Sequence, residues 1–419
     1  MLVRSNRQAA VGFIFITMLV DVMGLGLIIP VMPRLIAALK QLPVNQASAW
    51  GALLISSYAV MQFLFAPVIG NLSDRYGRRP VLLASMFGFG IDYIILALAP
   101  SFGWLFAGRL IAGITGASFT TGAAYIADVS TPDTRARNFG MIGAAFGLGF
   151  IIGPALGGLL SGLGLRAPFY AAAILCLLNA LYGYFILPES LPRERRRSFE
   201  WRRANPFGSL QFLRTTRGIG ALAICYFLIY LAAQAVQGNW SYYTIYKFHW
   251  TETLVGLSLA VVGLLVAGVQ AGLTRVVNPV LGNERSIYGG LLLYALGLSL
   301  FAIAAQGWMM FLFLVPYCMG GIAGPALQAV MAAHVPGNKQ GELQGALTSL
   351  MSLTTIVGPQ IMNNLFEYFT ASRAPFHFPG MPFLLGALLM VASAAIAWYV
   401  FKQEKKRPDQ GPAAAVTEG

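Results

Sequence analysis

Long apolar stretches separated by short polar segments run through almost the whole chain. An α-helix needs about 20 predominantly apolar residues to cross the ~30 Å hydrocarbon core of a bilayer, and the stretches match that length. The pattern therefore predicts an all-α polytopic membrane protein with twelve transmembrane helices. We place these spans at residues 10–32, 50–70, 81–99, 103–127, 138–162, 167–187, 217–238, 253–275, 286–305, 308–332, 343–366 and 380–402.

Basic residues are concentrated in alternate connections between the spans. They lie at the N-terminus, in the even-numbered loops and in the C-terminal tail, whereas the odd-numbered loops hold few. The positive-inside rule then predicts that both termini are cytoplasmic. The longest loop, 188–216, is basic, and we expect a cytoplasmic linker there. It joins an N-terminal six-helix bundle (1–187) to a C-terminal one (217–402), and residues 403–419 are predicted to form a disordered cytoplasmic tail.

The two halves of the chain repeat sequence features. Gly153-Pro154 in the fifth span is matched by Gly358-Pro359 in the eleventh, about half a chain later. Repeated halves are typical of transporters whose substrate site lies near the bilayer midplane, where the repeats meet. We therefore expect two pseudo-symmetric bundles.

Composition and charge narrow the functional class. Of the 419 residues, 57% are hydrophobic and 10% are charged, against roughly 25% charged in soluble domains. The net charge of +13 would suit a nucleic-acid partner, but the charges lie in short loops between apolar segments, so none is expected. The three cysteines lie inside apolar segments, which argues against a disulfide framework or a metal site. There is no Walker loop and no enzymatic motif, so we expect no cofactor and an ion gradient as the energy source.

The segment GNLSDRYGRRPVLL lies between the second and third spans. An ordinary basic loop would explain its arginines but not its aspartate or its glycine spacing. The segment resembles the hallmark loop of the major facilitator superfamily, which latches the two halves together on the cytoplasmic side. The resemblance implies that the aspartate faces a helix N-terminus, where the helix dipole favours an anion. The predicted latch residues are Gly70, Asp74, Arg75, Gly77, Arg78 and Arg79.

The fifth span contains GAAFGLGFIIGPALGG, which places small residues on one face. Small residues let membrane helices approach closely, so helix packing alone would explain them. Gly-Pro followed by Gly-Gly also resembles the motif that marks the antiporter branches of the superfamily, and both interpretations remain open. The residues concerned are Gly149, Gly153, Pro154, Gly157 and Gly158.

Three ionisable residues lie deep in the spans: Asp21, Asp92 and Arg109. At ~1.5 Å rise per residue, all three share nearly one depth, close to mid-membrane. Such a residue costs at least ~2.5 kcal/mol at a helix centre, so it usually pairs and marks a pathway. One interpretation is a structural salt bridge. The other is proton coupling, since burial disfavours a charged carboxylate and a nearby arginine favours it. The segment GRLIAGITGAS, which contains Arg109, resembles the family's fourth-helix motif, whose arginine is tied to proton transfer.

Polar side chains form stripes on several otherwise apolar spans. They could bond neighbouring helices, or they could line a cavity with aromatic faces and uncharged hydrogen-bond partners, suited to an amphipathic organic substrate. The candidates are Tyr58 and Gln62 in the second span, Ser118, Thr121 and Tyr125 in the fourth, Tyr226, Tyr230, Gln234 and Gln237 in the seventh, and Tyr317 and Gln328 in the tenth.

Longer stretches, among them DVMGLGLIIPVMP, GRLIAGITGAS and GELQGALTSLMSLTTIVGP, look like the tetracycline-resistance (TCR/Tet) efflux group of the superfamily. The resemblance runs from about residue 10 to residue 400 and implies drug/proton antiport in a bacterial cytoplasmic (inner) membrane. It matches Asp21, Asp92 and Asp74 to acids of that group, and Gln234 and Gln270 to its glutamines. The chain departs from the group in its ninth span, which has no acid, and at a position where the group tends to carry histidine.

The sequence thus predicts a major facilitator fold and a monomeric secondary active transporter in the lipid bilayer. It would export amphipathic organic compounds in exchange for protons by alternating access. The alternatives are a proton-coupled importer or a uniporter of a small organic metabolite on the same fold, and a receptor or scaffold that transports nothing.

Overall fold

A computed structural model describes residues 2–116, 118–200 and 219–406. Within these ranges the regular structure is helical and contains no strand. Most of the predicted linker (188–216) and of the predicted tail (403–419) lies outside the described residues.

The helices follow the predicted apolar stretches closely. They are α1 (Leu2–Ile28), α2 (Met32–Lys40), α3 (Val44–Tyr76), α4 (Arg78–Leu98), α5 (Phe102–Thr115), α6 (Ser118–Val129), α7 (Pro132–Leu160), α8 (Ala167–Ile186), α9 (Ile219–Gln237), α10 (Trp240–Phe248), α11 (Glu252–Gly268), α12 (Thr274–Ile303), α13 (Gly307–Met319), α14 (Ala323–Ala333), α15 (Gln340–Thr370) and α16 (Met381–Lys406).

Ten helical segments of the described part are long and apolar enough to cross a membrane. The eighth and ninth predicted spans fall together in one of these segments, Glu252–Ile303. The eleventh predicted span lies in α15, which is not among these ten segments. The hydroxyls of Thr348 and Ser352 donate to carbonyl oxygens one turn earlier in α15, at 2.9 and 3.0 Å, so their polarity is met inside the helix. The chain is a multi-pass membrane protein, and the count of twelve spans stays a prediction.

Several local features differ from the predicted boundaries. The first span ends at Ile28, and α2 and α10 are short helices that no prediction included. Between α11 and α12 the chain forms a π-helix, Val269–Leu273, and then continues to a kink at Gly282, where φ is 77° and ψ is 162°. A positive φ of this kind is favourable for glycine, which has no Cβ. The eighth and ninth spans are therefore joined by helical residues that are interrupted at Gly282.

The chain divides into two compact units. The first comprises residues 1–206 and 249–263, and the second comprises residues 207–248 and 264–419. The beginning of α11 thus belongs to the first unit, although it follows the predicted linker in the sequence.

Close helix contacts in the first unit depend on glycine. A Cβ atom on Gly153 would lie 2.7 Å from the carbonyl oxygen of Met23, and one on Gly26 would lie 2.7 Å from Cδ of Pro154. These positions bring the backbones of α1 and α7 into direct contact, as small residues do between membrane helices. The same surface of α7 receives α11, because a Cβ on Gly256 would collide with the carbonyl oxygen of Pro154.

Aromatic side chains fill the core of the second unit. The rings of Tyr243 and Phe383 are 4.8 Å apart, and those of Trp240 and Phe301 are 5.2 Å apart, both in edge-to-face geometry. The buried hydroxyl of Tyr243 donates to the carbonyl oxygen of Phe301 at 2.7 Å. Helix α10 is thereby anchored to α12 and α16.

We expect Gly256→Ala to lower the thermal stability of the purified protein, because the added methyl group meets backbone that cannot move aside. Overpacking of this kind typically costs about 1–3 kcal/mol. The matched control is Gly268→Ala on the same helix, where a Cβ would meet nothing within 4 Å. Thermal unfolding in detergent should show a loss for the first variant and none for the second, and equal behaviour would contradict this packing.

Candidate functional site

An ion pair is buried within the first unit between α4 and α5. The Arg109 guanidinium donates to Oδ2 of Asp92, and the two residues are 5% and 0% exposed. Gly108 leaves room for the acid, since a Cβ there would lie 2.7 Å from Oδ1 of Asp92. The guanidinium carbon also lies 5.8 Å from the ring centre of Tyr58 and 5.9 Å from that of Tyr93. Two aromatic rings therefore flank a cation that the membrane interior would otherwise exclude.

Asp21 lies on α1 in the same unit and is 8% exposed. Its charge interacts electrostatically with the hydroxyls of Tyr58 and Tyr93 and with the thiol of Cys176 on α8. The two tyrosines that flank Arg109 are thus also neighbours of Asp21. The structure groups the three deep ionisable residues around one pair of phenols.

Tyr58 is held by a neighbour one turn away on α3. Gln62 donates to the Tyr58 hydroxyl and to the carbonyl oxygen of Gly116, both at 3.2 Å. Gly116 follows the end of α5, so this amide joins α3 to the break between α5 and α6. Tyr58 therefore adjoins the ion pair directly, and Gln62 is linked to it through Tyr58.

The loop between α3 and α4 is built around Arg78, which is 9% exposed. Its guanidinium contacts Asp74 at 2.6 Å and donates through Nε to Asp128 of α6 at 3.1 Å. Gly77 has a φ of 106° and lies against the carboxylate of Glu189. A side chain at this position would be strained by the backbone and blocked by the carboxylate. Arg75 is exposed, with its guanidinium 5.1 Å from the Tyr76 ring centre.

Two further loop residues have distinct surroundings. Gly70 and Asp74 line a cavity of about 320 Å³, together with Asn71 and Thr120. Arg79 donates to the carbonyl oxygen of Tyr184 at 2.6 Å, which ties the start of α4 to the end of α8.

Glu189 is a site residue that the sequence reasoning missed. Its carboxylate accepts hydrogen bonds from the backbone N–H groups of Arg78 at 2.9 Å and Arg79 at 3.3 Å, and it forms an ion pair with Arg196 at 3.7 Å. The first N–H groups of a helix have no partner inside it, so this acid caps α4 from a distant part of the chain. The available signal was an acid just after the sixth span, in a segment otherwise rich in arginine.

The corresponding connection of the second unit is built differently. Glu284, next to the kink at Gly282, forms an ion pair with Lys405 of α16 at 2.6 Å. Both side chains are substantially exposed, at 39% and 68%, and exposed pairs contribute little to stability. The exposed Glu284–Lys405 pair is therefore not equivalent to the contacts that buried Arg78 makes in the first unit.

The glycine-rich face of α7 packs on two helices. A Cβ on Gly149 would lie 2.8 Å from Val22 of α1, and one on Gly157 would collide with the carbonyl oxygen of Leu27. Gly158 faces α11, where a Cβ would lie 2.6 Å from the carbonyl oxygen of Glu252.

The start of α11 is also held by polar contacts. Arg34 of α2 forms an ion pair with Glu252 at 3.0 Å and donates to the carbonyl oxygen of Trp250 at 3.2 Å. Glu252 is 7% exposed. Thr253 donates to the carbonyl oxygen of Gly158 at 2.9 Å.

The polar candidates of α6 lie in the interior of the first unit. Thr121 and Tyr125 are both 0% exposed. The Tyr125 ring belongs to an apolar cluster with Ile14 and Met18, and its hydroxyl donates to the carbonyl oxygen of Pro188 at 2.8 Å. The side chain of Ser118 lies outside the described residues.

Three polar candidates of the second unit come together. The rings of Tyr226 and Tyr230 are 4.6 Å apart, and Gln328 of α14 donates to the Tyr226 hydroxyl at 3.4 Å. Tyr317 is linked to this group through Tyr294, whose ring lies 5.2 Å from that of Tyr317 and whose hydroxyl interacts electrostatically with Tyr230.

Gln234 and Gln270, which the resemblance matches to the efflux group, and the cavity candidate Gln237 have different surroundings. Gln234 is 3% exposed and packs against Gly358, where a Cβ would collide with its side chain. Gln237, at the end of α9, and Gln270, in the π-helix, are both exposed.

Comparison with known families identifies the family of this chain. A family model described as the Major Facilitator Superfamily matches residues 14–359 and 222–418. The chain belongs to the Major Facilitator Superfamily. The predicted fold class is confirmed, and the family is one of transporters rather than enzymes.

Relatives within the superfamily are closely similar. The chain is 42% identical over 386 residues to the class C tetracycline resistance protein of Escherichia coli, covering 92% of this chain and 95% of that protein. It is 44% identical over 339 residues to the class G tetracycline resistance protein of Vibrio anguillarum, covering 81% and 86%. The resemblance to the tetracycline-resistance group is confirmed.

A solved structure shows the same fold. The human organic anion transporter MFSD10 (TETRAN) superposes with a TM-score of 0.70 at 24% sequence identity, over 93% of this chain and 99% of that one.

Glu189→Ala should destabilise the protein by about 1 kcal/mol, the usual effect of removing a helix cap, because two N–H groups of α4 lose their acceptor. Glu189→Gln keeps an acceptor oxygen and should lose less. Glu194→Ala, an exposed acid in the same segment, serves as the control. Thermal unfolding of the three variants measures the order, and equal loss at both glutamates would rule out the capping role.

Proposed function

We propose that this chain is a secondary active transporter that exports amphipathic organic compounds in exchange for protons by alternating access. The observation that carries the proposal is the Asp92–Arg109 ion pair, buried beside Asp21 in the first unit. Buried intramembrane charges mark proton and ion pathways. The relatives named above as tetracycline resistance proteins make tetracycline the first compound to test.

The proton is assigned to Asp21. Arg109 already neutralises Asp92 through the ion pair, which favours the charged form of that carboxylate. Asp21 is buried at 8% exposure and adjoins the same phenols, so binding a proton relieves the desolvation of its charge.

The second unit supplies uncharged groups for the substrate. Among the described residues, the charged side chains that are buried all belong to the first unit. Tyr226, Tyr230 and Gln328 offer aromatic faces and neutral hydrogen-bonding groups, a lining suited to an amphipathic organic molecule.

The loop between α3 and α4 is assigned a role in the transport cycle. Asp74, with Arg78 and Asp128, forms a latch that stabilises one of the two alternating states, and Asp74 lines a cavity where a helix N-terminus could dock. The chain works as a monomer in a bacterial inner membrane with both termini in the cytoplasm. The boundary between the two six-helix bundles lies, in this proposal, in the predicted linker at 188–216.

Everted membrane vesicles that contain the protein should accumulate tetracycline when the lumen is acidified, because export from a cell becomes uptake in this orientation. Nigericin, which dissipates the pH gradient, should abolish the accumulation. Accumulation only in right-side-out vesicles would support an importer. Accumulation unaffected by nigericin would exclude proton exchange, and absence of flux for a panel of amphipathic compounds would exclude transport of this class.

Asp21→Asn should abolish concentrative uptake in proteoliposomes and spare tetracycline binding and downhill exchange, since only proton coupling is lost. Arg109→Ala should be more damaging, because Asp92 would be left buried without its counter-charge, a loss of about 3–5 kcal/mol. Asp133→Asn, at an exposed acid of α7, is the control. If Asp21→Asn and Asp92→Asn both still concentrate substrate, the three charges have a structural role only.

A further inference from the structure

Tyr93 lies near both Asp21 and the Asp92–Arg109 ion pair. It follows Asp92 on α4 and is 1% exposed. Neighbouring residues of a helix point in directions about 100° apart, so the Tyr93 side chain does not share the direction of Asp92. Its hydroxyl instead reaches α1, where a Cβ on Gly24 would lie 2.7 Å from the Tyr93 oxygen and 3.1 Å from two ring carbons.

Gly24 lies three residues after Asp21, so both occupy the same face of α1. The groups that face Tyr93 from the surrounding helices are Asp21 of α1, Tyr58 of α3, Arg109 of α5 and Cys176 of α8. The Tyr93 phenol therefore occupies the space between the proposed proton carrier and the ion pair.

We propose that Tyr93 is a positioning residue for proton exchange, and that Gly24 lacks a side chain so that the Tyr93 hydroxyl can reach α1. The inference rests on the proposed roles of Asp21, Asp92 and Arg109. A phenol can donate one hydrogen bond and accept another. Tyr93 keeps its own proton throughout. It donates to the carboxylate that is charged, and its ring lies beside Arg109 as the guanidinium pairs with Asp92 or turns toward Asp21.

The first test compares Tyr93→Phe with Tyr243→Phe in proteoliposomes. Tyr93→Phe retains the ring, so folding and tetracycline binding should be unchanged. Uptake driven by a pH gradient should fall about tenfold, equivalent to ~1.4 kcal/mol, and its pH optimum should shift, while downhill exchange persists. Tyr243→Phe removes a buried hydroxyl of the second unit and should keep the wild-type pH profile. A wild-type pH profile for Tyr93→Phe would overturn the inference.

The second test examines Gly24 directly. Gly24→Ala should reproduce the transport defect of Tyr93→Phe, because the new methyl group displaces the hydroxyl. Combining the two substitutions should add little, since the closest contact disappears with the hydroxyl. Gly12→Ala on the same helix, where a Cβ would meet nothing within 4 Å, should behave as wild type. Defects that multiply in the double variant would show that the two residues act separately and would refute the positioning role.

The outcomes also separate this inference from the proposed function. If Asp21→Asn abolishes concentrative uptake and Tyr93→Phe does not change its pH dependence, only the role of Tyr93 fails. If both aspartate variants still concentrate tetracycline, the proton-coupling proposal fails, and the inference fails with it.

Discussion

A carboxylate and a guanidinium that leave water each lose hydration worth several kcal/mol, and only close pairing with good geometry offsets this loss. Asp92 and Arg109 meet that condition at 0% and 5% exposure, and neighbouring helices are adapted to the pair. Gly108 makes room for the acid, and Tyr58 and Tyr93 flank the cation. Removing either residue alone would leave the other charge buried without its counter-charge. The first unit therefore depends on both members of the pair.

The same unit combines this rigid pair with close backbone contacts. Gly26, Gly153 and Gly157 bring α1 and α7 together without intervening side chains. Backbone contacts of this kind have little freedom to repack, since a shift of either helix meets carbonyl groups rather than flexible side chains. Asp21 lies on α1, so its surroundings depend on how α1 sits against α7.

Much of the fold follows from the sequence because membrane spans are long and uniformly apolar. Short helices are harder to predict. Helices α2 and α10 hold only nine residues each, too few to produce a clear periodic signal, and both lie next to spans whose apolar pattern dominates. The helical residues on either side of the kink at Gly282 were also missed, because the polar residues of 275–285 resemble a loop.

The candidate site was predictable to a different extent. Depth along a helix follows from residue counting, so Asp21, Asp92 and Arg109 could be placed at one level. The choice of partner depends on the direction of each side chain, which counting does not supply. Glu189 and Tyr93 act across large separations in sequence, and no local pattern marks an acid that caps a helix beginning 111 residues earlier.

That separation has a consequence for biosynthesis. The ribosome delivers Arg78 and the start of α4 long before it delivers Glu189, so the first turn of α4 gains this cap only after α8 has been made. Residues 249–263 also belong to the first unit and are synthesised after more than half of the chain. The first unit is thus the earlier of the two to begin assembly, yet it cannot be finished before translation has passed well into the second.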